Sequence, residues 1–233
     1  MDPLYQTKIT CSCCKSVFQT SRVRPSFKRA VRVDSDFCGH FDRVNPDFYV
    51  VRVCPFCGFA STENFREELP QPLVEAYLEK MGKFWVARDY GGERSARDAM
   101  ECYKLALLTA QTVKEKDRVV AGLLHHIAWL YRYEGDTEME GKFLKFALDS
   151  YIQVYESELE AVNNARLLYL IGELHRRTGN PREAVRWFSR VIHDKQITDA
   201  SMIQASREQW TLIREEMAAS GHELPEEMRS NGA

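Results

Sequence analysis

The apolar and polar positions of this chain keep two different rhythms. In the first part, short β-branched and aromatic runs (Val17-Phe18-Gln19-Thr20, Ala30-Val31-Arg32-Val33 and Phe48-Tyr49-Val50-Val51-Arg52-Val53) alternate with turn formers such as Asp34-Ser35-Asp36 and Asn45-Pro46. That pattern predicts short strands. Pro70 and Pro72 then interrupt the chain, and from about residue 73 the apolar residues recur with the period of a helix.

Within the helical part the spacing repeats. Helix pairs of the tetratricopeptide kind want small residues where neighbouring helices touch and large ones in the grooves between them. Ala87, Tyr90, Ala99, Tyr103 and Ala106 fit that spacing, and Gly172, Ala184, Phe188 and Val191 fit it again, with His175 where an aromatic is usual. Between them Leu124, Ile127, Ala128 and Tyr131 supply a first helix, followed by Leu144 and Ala147 in a second. Equivalent small residues lie 41 (Ala87 to Ala128) and 44 (Ala128 to Gly172) residues apart, longer than the common ~34, so helices or loops must be extended. Gly135-Asp136 and Gly179-Asn180-Pro181-Arg182-Glu183 have the composition of a helix end followed by a new start. A final helix over about 200–219, carrying Met202, Ala205, Trp210, Ile213 and Met217, reads as a cap.

Cysteine spacing changes the picture of the first part. Cys11-Ser-Cys-Cys14 and Cys54-Pro-Phe-Cys57-Gly58 each place two thiols two residues apart in β-prone sequence. Two such turns complete a tetrahedral thiolate site for zinc. A module of about 60–70 residues is marginal on its hydrophobic core alone, and structural zinc contributes roughly 10–16 kcal/mol to folding. The ligands expected are Cys11, Cys14, Cys54 and Cys57. The cysteine count is odd, at seven, which together with the spacing points to metal ligands in a reducing compartment rather than disulfides. No basic segment followed by an apolar run opens the chain, and no long uncharged apolar stretch follows, so a cytoplasmic protein without a membrane span is expected. A formal net charge of −2 argues against adhesion of the whole chain to nucleic acid or membrane.

Ser35-Asp-Phe-Cys38, Asn45-Pro46, the run from Tyr49 into Cys54-Pro-Phe-Cys57-Gly-Phe-Ala60, Ala128-Trp-Leu-Tyr-Arg132 and Leu168-Tyr-Leu-Ile-Gly-Glu-Leu174 resemble the bacterial domain-of-unknown-function 2225 family. The resemblance runs through nearly the whole chain. It implies a zinc-ribbon-like front and a repeat-like helical rear, and no established activity. The chain departs from the family at Ser12-Cys13, where Cys-Pro-x-Cys is usual, and at Gly39-His40.

Several residues carry alternatives. Cys54 and Cys57 also resemble a thiol-redox pair, but Gly58 directly after the second thiol disfavours the helix such a pair needs. Cys13 reads as an exposed bystander thiol, Cys102 as core, and Cys38 with His40 as candidates for an additional metal or, more simply, a packed thiol. From Lys8 to Arg32 the chain has seven basic residues (Lys8, Lys15, Arg22, Arg24, Lys28, Arg29, Arg32) and no acid. A solvated strand surface or a phosphate-gripping face, with Phe18 or Phe27 for stacking, would both have that composition. His125 and His126 are adjacent, so on a helix they diverge by about 100° and cannot share a metal. No phosphate loop, HExxH, nucleophile elbow or dinucleotide fingerprint occurs. The phase of the repeats puts Phe84, Arg88, His125, Trp129, Arg132, Arg166, Tyr169, Glu173 and Arg176 on one concave face, suited to an extended peptide with carboxylates.

The expected protein is α+β and mostly α. A small β zinc ribbon over 1–69 precedes a tetratricopeptide-like helical repeat domain with a capping helix over 70–220 and a flexible tail over 221–233. Its expected role is a non-enzymatic zinc-binding adaptor that binds a protein or peptide partner through the helical groove, with no small-molecule substrate. The alternatives are a nucleic-acid-linked regulator using the basic ribbon, and a thiol oxidoreductase using Cys54 and Cys57.

Overall fold

The structure is a computed structural model that describes residues 2–158 and 164–220. The tail expected over 221–233 lies outside the described residues. The fold class is the one expected: small antiparallel strand pairs in front and a helical body behind. β1 (Leu4–Thr10) pairs with β2 (Val17–Val23), Leu4 facing Val23 and Thr10 facing Val17. Two much shorter pairs follow, β3 (Arg32–Val33) with β4 (Gly39–His40) and β5 (Arg52–Val53) with β6 (Ala60–Ser61). Seven α-helices come next among the described residues: α1 (Gln71–Lys80), α2 (Ala96–Thr112), α3 (Asp117–Glu134), α4 (Thr137–Ser157), α5 (Ala165–Arg177), α6 (Pro181–His193) and α7 (Ala200–Ala219).

The helix ends follow local chemistry. Ser95 and Asp98 form a reciprocal capping box at the start of α2, and Asn164 and Asp199 cap α5 and α7 with side-chain oxygens. Gly135 and Gly179 end α3 and α5 with positive φ, as their place after the last apolar residues implies. Gly172 is needed for packing: a Cβ there would stand 2.8 Å from the Phe188 ring of α6.

Two expected elements differ. Phe48–Val53 is not one strand, because Asn45 accepts the Asp47 N–H and turns Pro46–Tyr49 into a 3-10 helix, leaving only Arg52–Val53 extended. The helix expected around Ala87 and Tyr90 does not form either. There the Asp89 carboxylate accepts the Gly91 N–H, and the Gly91 carbonyl accepts from Ser21 N, Ser21 Oγ and Gln6. The segment is thereby tied to the β1–β2 hairpin, and Ala87 is exposed.

The chain forms two compact units, residues 1–34 with 38–143 and residues 35–37 with 144–233. These do not divide at 69/70. In the first unit, Val51, Val53, Ala60 and Phe65 share a core with Ala99, Cys102, Tyr103 and Ala106 of α2 and Leu123, Ile127 and Leu130 of α3. Arg94 reinforces that union. Its buried guanidinium donates to the carbonyls of Tyr90, Phe48 and Val51 and to the Thr20 hydroxyl. In the second unit, Tyr169, Ala184, Val185 and Phe188 pack with Ile213 and Met217 of α7.

A fragment beginning at Leu73 would leave the α2 and α3 face uncovered and strip Arg94 of three of those four acceptors. It should lose cooperative melting or aggregate, while the whole chain melts as a folded protein; calorimetry and light scattering on both would check this.

Candidate functional site

The two cysteine turns are built alike. In the first, Lys15 N donates to Cys11 O (3.0 Å) and Cys11 N to Ser16 O (2.9 Å). In the second, Gly58 N donates to Cys54 O (2.9 Å) and Cys54 N to Phe59 O (3.0 Å). Both turns close through a residue with positive φ, Lys15 (62°) in one and Gly58 (73°) in the other. The turn therefore places Lys15 where glycine is the easy residue.

These turns bring together all four expected ligands. The Sγ atoms of Cys11, Cys14, Cys54 and Cys57 lie within 4.8 Å of one another. Cys11 and Cys57 are 3.7 Å apart and Cys14 and Cys54 3.6 Å. Metal–sulfur bonds of about 2.3 Å in a tetrahedron would set sulfurs about 3.8 Å apart, so the cage could hold a metal ion. The thiols resist ionising together. The Cys57 hydrogen bond and then burial push Cys11 above the ordinary thiol range. Burial also pushes Cys54 up to about 11. Burial would raise Cys14 too, but hydrogen bonds from Ser16 and the neighbouring thiols outweigh it and pull Cys14 down to about 7. A cation that binds here displaces protons, so its hold weakens as pH falls.

Helical side chains cover the cage. Tyr77 of α1 donates to the Cys57 carbonyl (3.3 Å) and meets Phe59 edge-on, and Val74 and Val113 complete the apolar wall. The Trp85 indole N–H donates to Pro55 O (2.9 Å), and a Cβ on Gly58 would stand 2.5 Å from that ring. Sequence reasoning missed Tyr77 and Trp85, because nothing local marks a helix or loop residue as the lid of a distant turn. Cys13, expected to be exposed, is buried, and it lies outside the four-sulfur group. The pair Cys54 and Cys57 occupies a turn between strands, not a helix N-terminus, and the sulfur at 3.6 Å from Cys54 is Cys14. The redox reading lacks the dipole it requires.

Asp34, Cys38 and His40 also bring donor atoms within 4.8 Å of one another. However, Arg32 reaches His40 Nε2 at 2.7 Å and Arg132 reaches Asp34 Oδ2 at 2.9 Å. Two guanidinium groups already stand where a cation would have to sit, and His40 itself pairs with Asp34 (2.8 Å). The donor set fits a metal poorly.

The nine residues expected to line one groove divide between the units. Phe84, Arg88, His125, Trp129 and Arg132 belong to the first. Phe84 is exposed, Arg88 pairs with Asp98 and Glu101, His125 and Trp129 are buried, and Arg132 bridges Asp34 and Glu140. Arg166, Tyr169, Glu173 and Arg176 belong to the second and gather on α5. There they meet Ser35-Asp36-Phe37 of the same unit. Arg166 covers the Phe37 ring at 4.1 Å, and Tyr169 Oη donates to Ser35 O (2.8 Å). Ser35 Oγ donates to Glu173 Oε1 (2.6 Å) and accepts from Arg177 (3.0 Å). Arg177 also pairs with Asp36, which is wholly buried. Arg176 grips Glu173 through two bonds of 2.8 Å.

Paired cysteine turns under a helical lid, joined to helix pairs, define the class of protein. The family described as "Uncharacterized protein conserved in bacteria (DUF2225)" matches residues 4–213, and the chain belongs to it. No curated protein matches the chain, and no solved structure matches it. No helix among the described residues is long and apolar enough to cross a membrane.

The knuckle geometry predicts opposite signs for two substitutions. Lys15→Gly should stabilise the metal-loaded protein by about 1 kcal/mol, because a left-handed conformation costs a side-chain-bearing residue roughly that much. Gly58→Ala should destabilise it by more, about 1–3 kcal/mol, because it adds overpacking against Trp85. Denaturant midpoints of the two variants would check both.

Proposed function

We propose that this chain is a non-enzymatic, zinc-organised adaptor whose helical unit takes an extended segment of acidic and aromatic character. The seating of Ser35-Asp36-Phe37 on α5 carries the reading. A buried carboxylate, a backbone carbonyl and an aromatic ring are each met by a dedicated partner from Arg166, Tyr169, Glu173 and Arg177. Such recognition suits a short peptide. The groove is thus narrower than the sequence implied, and its occupant within the chain indicates the chemistry a partner would present.

Zinc as the metal rests on the donor set. Four thiolates select zinc or iron among common cations, and a four-ligand tetrahedron leaves no open position for a substrate. The cage then serves folding rather than catalysis, which agrees with its apolar lid. Free thiols at all seven cysteines favour a reducing, cytoplasmic setting.

Protein purified without added metal should contain about one zinc per chain by elemental analysis, and a strong chelator should unfold the first unit. A content near zero, or one dominated by iron, would overturn the assignment. For the groove, a fluorescent peptide copying residues 32–40 should bind the Phe37→Ala protein about ten-fold tighter than the wild type, whose own segment competes. Arg166→Glu in the same background should abolish capture. A folded Phe37→Ala protein that ignores the peptide would remove the adaptor reading.

A further inference from the structure

Three cations of the first unit converge on one carboxylate. Arg22 of β2 is ion-paired with Glu63, which follows β6. Arg52 of β5 lies in the field of both Arg22 and Glu63. Lys28 also acts on Glu63, whose carboxyl is held below the usual range by Arg22 first and by Arg52 and Lys28 in addition. The Glu63 side chain is largely exposed, at 66%, and so is poorly anchored. Among the described residues the Arg52 Nε is buried and has no hydrogen-bond partner. Such an orphan donor costs stability unless something accepts from it.

A cavity of about 170 Å³ is lined by Arg22, Lys28, Thr62, Glu63 and Asn64 among others, with Arg52 outside the lining. At about 30 Å³ for each water in the liquid, that is room for a small ion with part of its hydration shell, not for a polymer. With Glu63 in place the two cations that line the cavity still exceed its acid by one charge. A ligand with several acceptor oxygens could engage more than one of these donors at once, which a single carboxylate on an exposed side chain does less well.

We propose that this cavity binds a small tetrahedral oxyanion of the phosphate class, with Glu63 as the chain's own placeholder. Glu63 swings into solvent when the anion enters, Arg22 and Lys28 close on it, and Arg52 adds only the field it already exerts on Glu63. This site shares no residue with the α5 groove, so it stands or falls independently of the adaptor reading.

Calorimetric titration of the full-length, metal-loaded protein with inorganic phosphate at fixed ionic strength tests it, with chloride as control. Phosphate should bind saturably and chloride should not. Glu63→Gln, which removes the competing charge, should tighten phosphate binding about ten-fold, and Arg22→Met should weaken it at least about ten-fold. If Arg22→Met fails to fold, Lys28→Met on the exposed turn should still weaken binding. A parallel titration with glycerol phosphate separates the sources: tighter binding than inorganic phosphate assigns an ester, equal or weaker binding the free ion. Phosphate that binds no better than chloride, or a Glu63→Gln protein that binds it less tightly than wild type, would overturn the site.

Discussion

Residues 1–69 carry only three two-stranded ladders, and two of these have just two residues per strand. Ladders of that size bury too little apolar surface to be stable alone. The shortage sets the design of the whole first unit, and it is met in two places. At the cysteine cage, Phe18 and Phe59 are joined by Leu69, Val74, Tyr77 and Val113, so α1 and the end of α2 form part of the wall. Elsewhere, Val51, Val53, Ala60 and Phe65 enter the core of α2 and α3. Arg94 then satisfies the carbonyls of Phe48, Val51 and Tyr90, which lie outside the ladders. The ribbon is a part of a larger core and not a bead in front of it.

The cysteine cage and helix packing therefore constrain the same backbone. The second turn is clamped by Tyr77 at the Cys57 carbonyl and by Trp85 at the Pro55 carbonyl, so both of its ends are fixed by hydrogen bonds from outside the ribbon. The first turn repeats the backbone pattern of the second but closes through Lys15 in a conformation better suited to glycine. That strain is tolerable where a buried sulfur cage over-determines the local geometry. Preorganised sulfurs also reduce the ordering that a metal would have to impose.

The parts of the fold with short-range chemical signatures were legible in the sequence. Paired CxxC spacing identified the four sulfurs that converge, and Gly135, Gly179 and Pro181 marked helix ends that the structure retains. The misreadings share one cause. Ala87 and Tyr90 had helical spacing, but Asp89 turns the backbone at Gly91, whose carbonyl finds its partners across the fold. Cys13 read as an exposed bystander because its spacing suits no chelate, yet it is buried. Tyr77, Trp85 and Arg94 gave no signal because, Tyr90 apart, these partners lie 20 to 74 residues away. Periodicity reports which face a residue occupies, not which distant carbonyl it will meet.

The α5 face shows how right chemistry can come with a wrong address. Arg166, Tyr169, Glu173 and Arg177 at helical spacing on α5 contact Ser35-Asp36-Phe37, an acidic and aromatic segment of the chain itself. A buried Glu173 beside a buried Asp36 would repel, so Arg176 and Arg177 are required between them. Phe37 pays for its seat with a positive φ of 69°, a conformation bulky residues rarely adopt. It persists because the Arg166 guanidinium and the Tyr169 ring hold the side chain from two sides. The turn between β3 and β4 forces that backbone, whereas an extended segment from another molecule could make the same contacts without it. On the proposed adaptor reading, the strain at Phe37 is what favours exchange for such a segment.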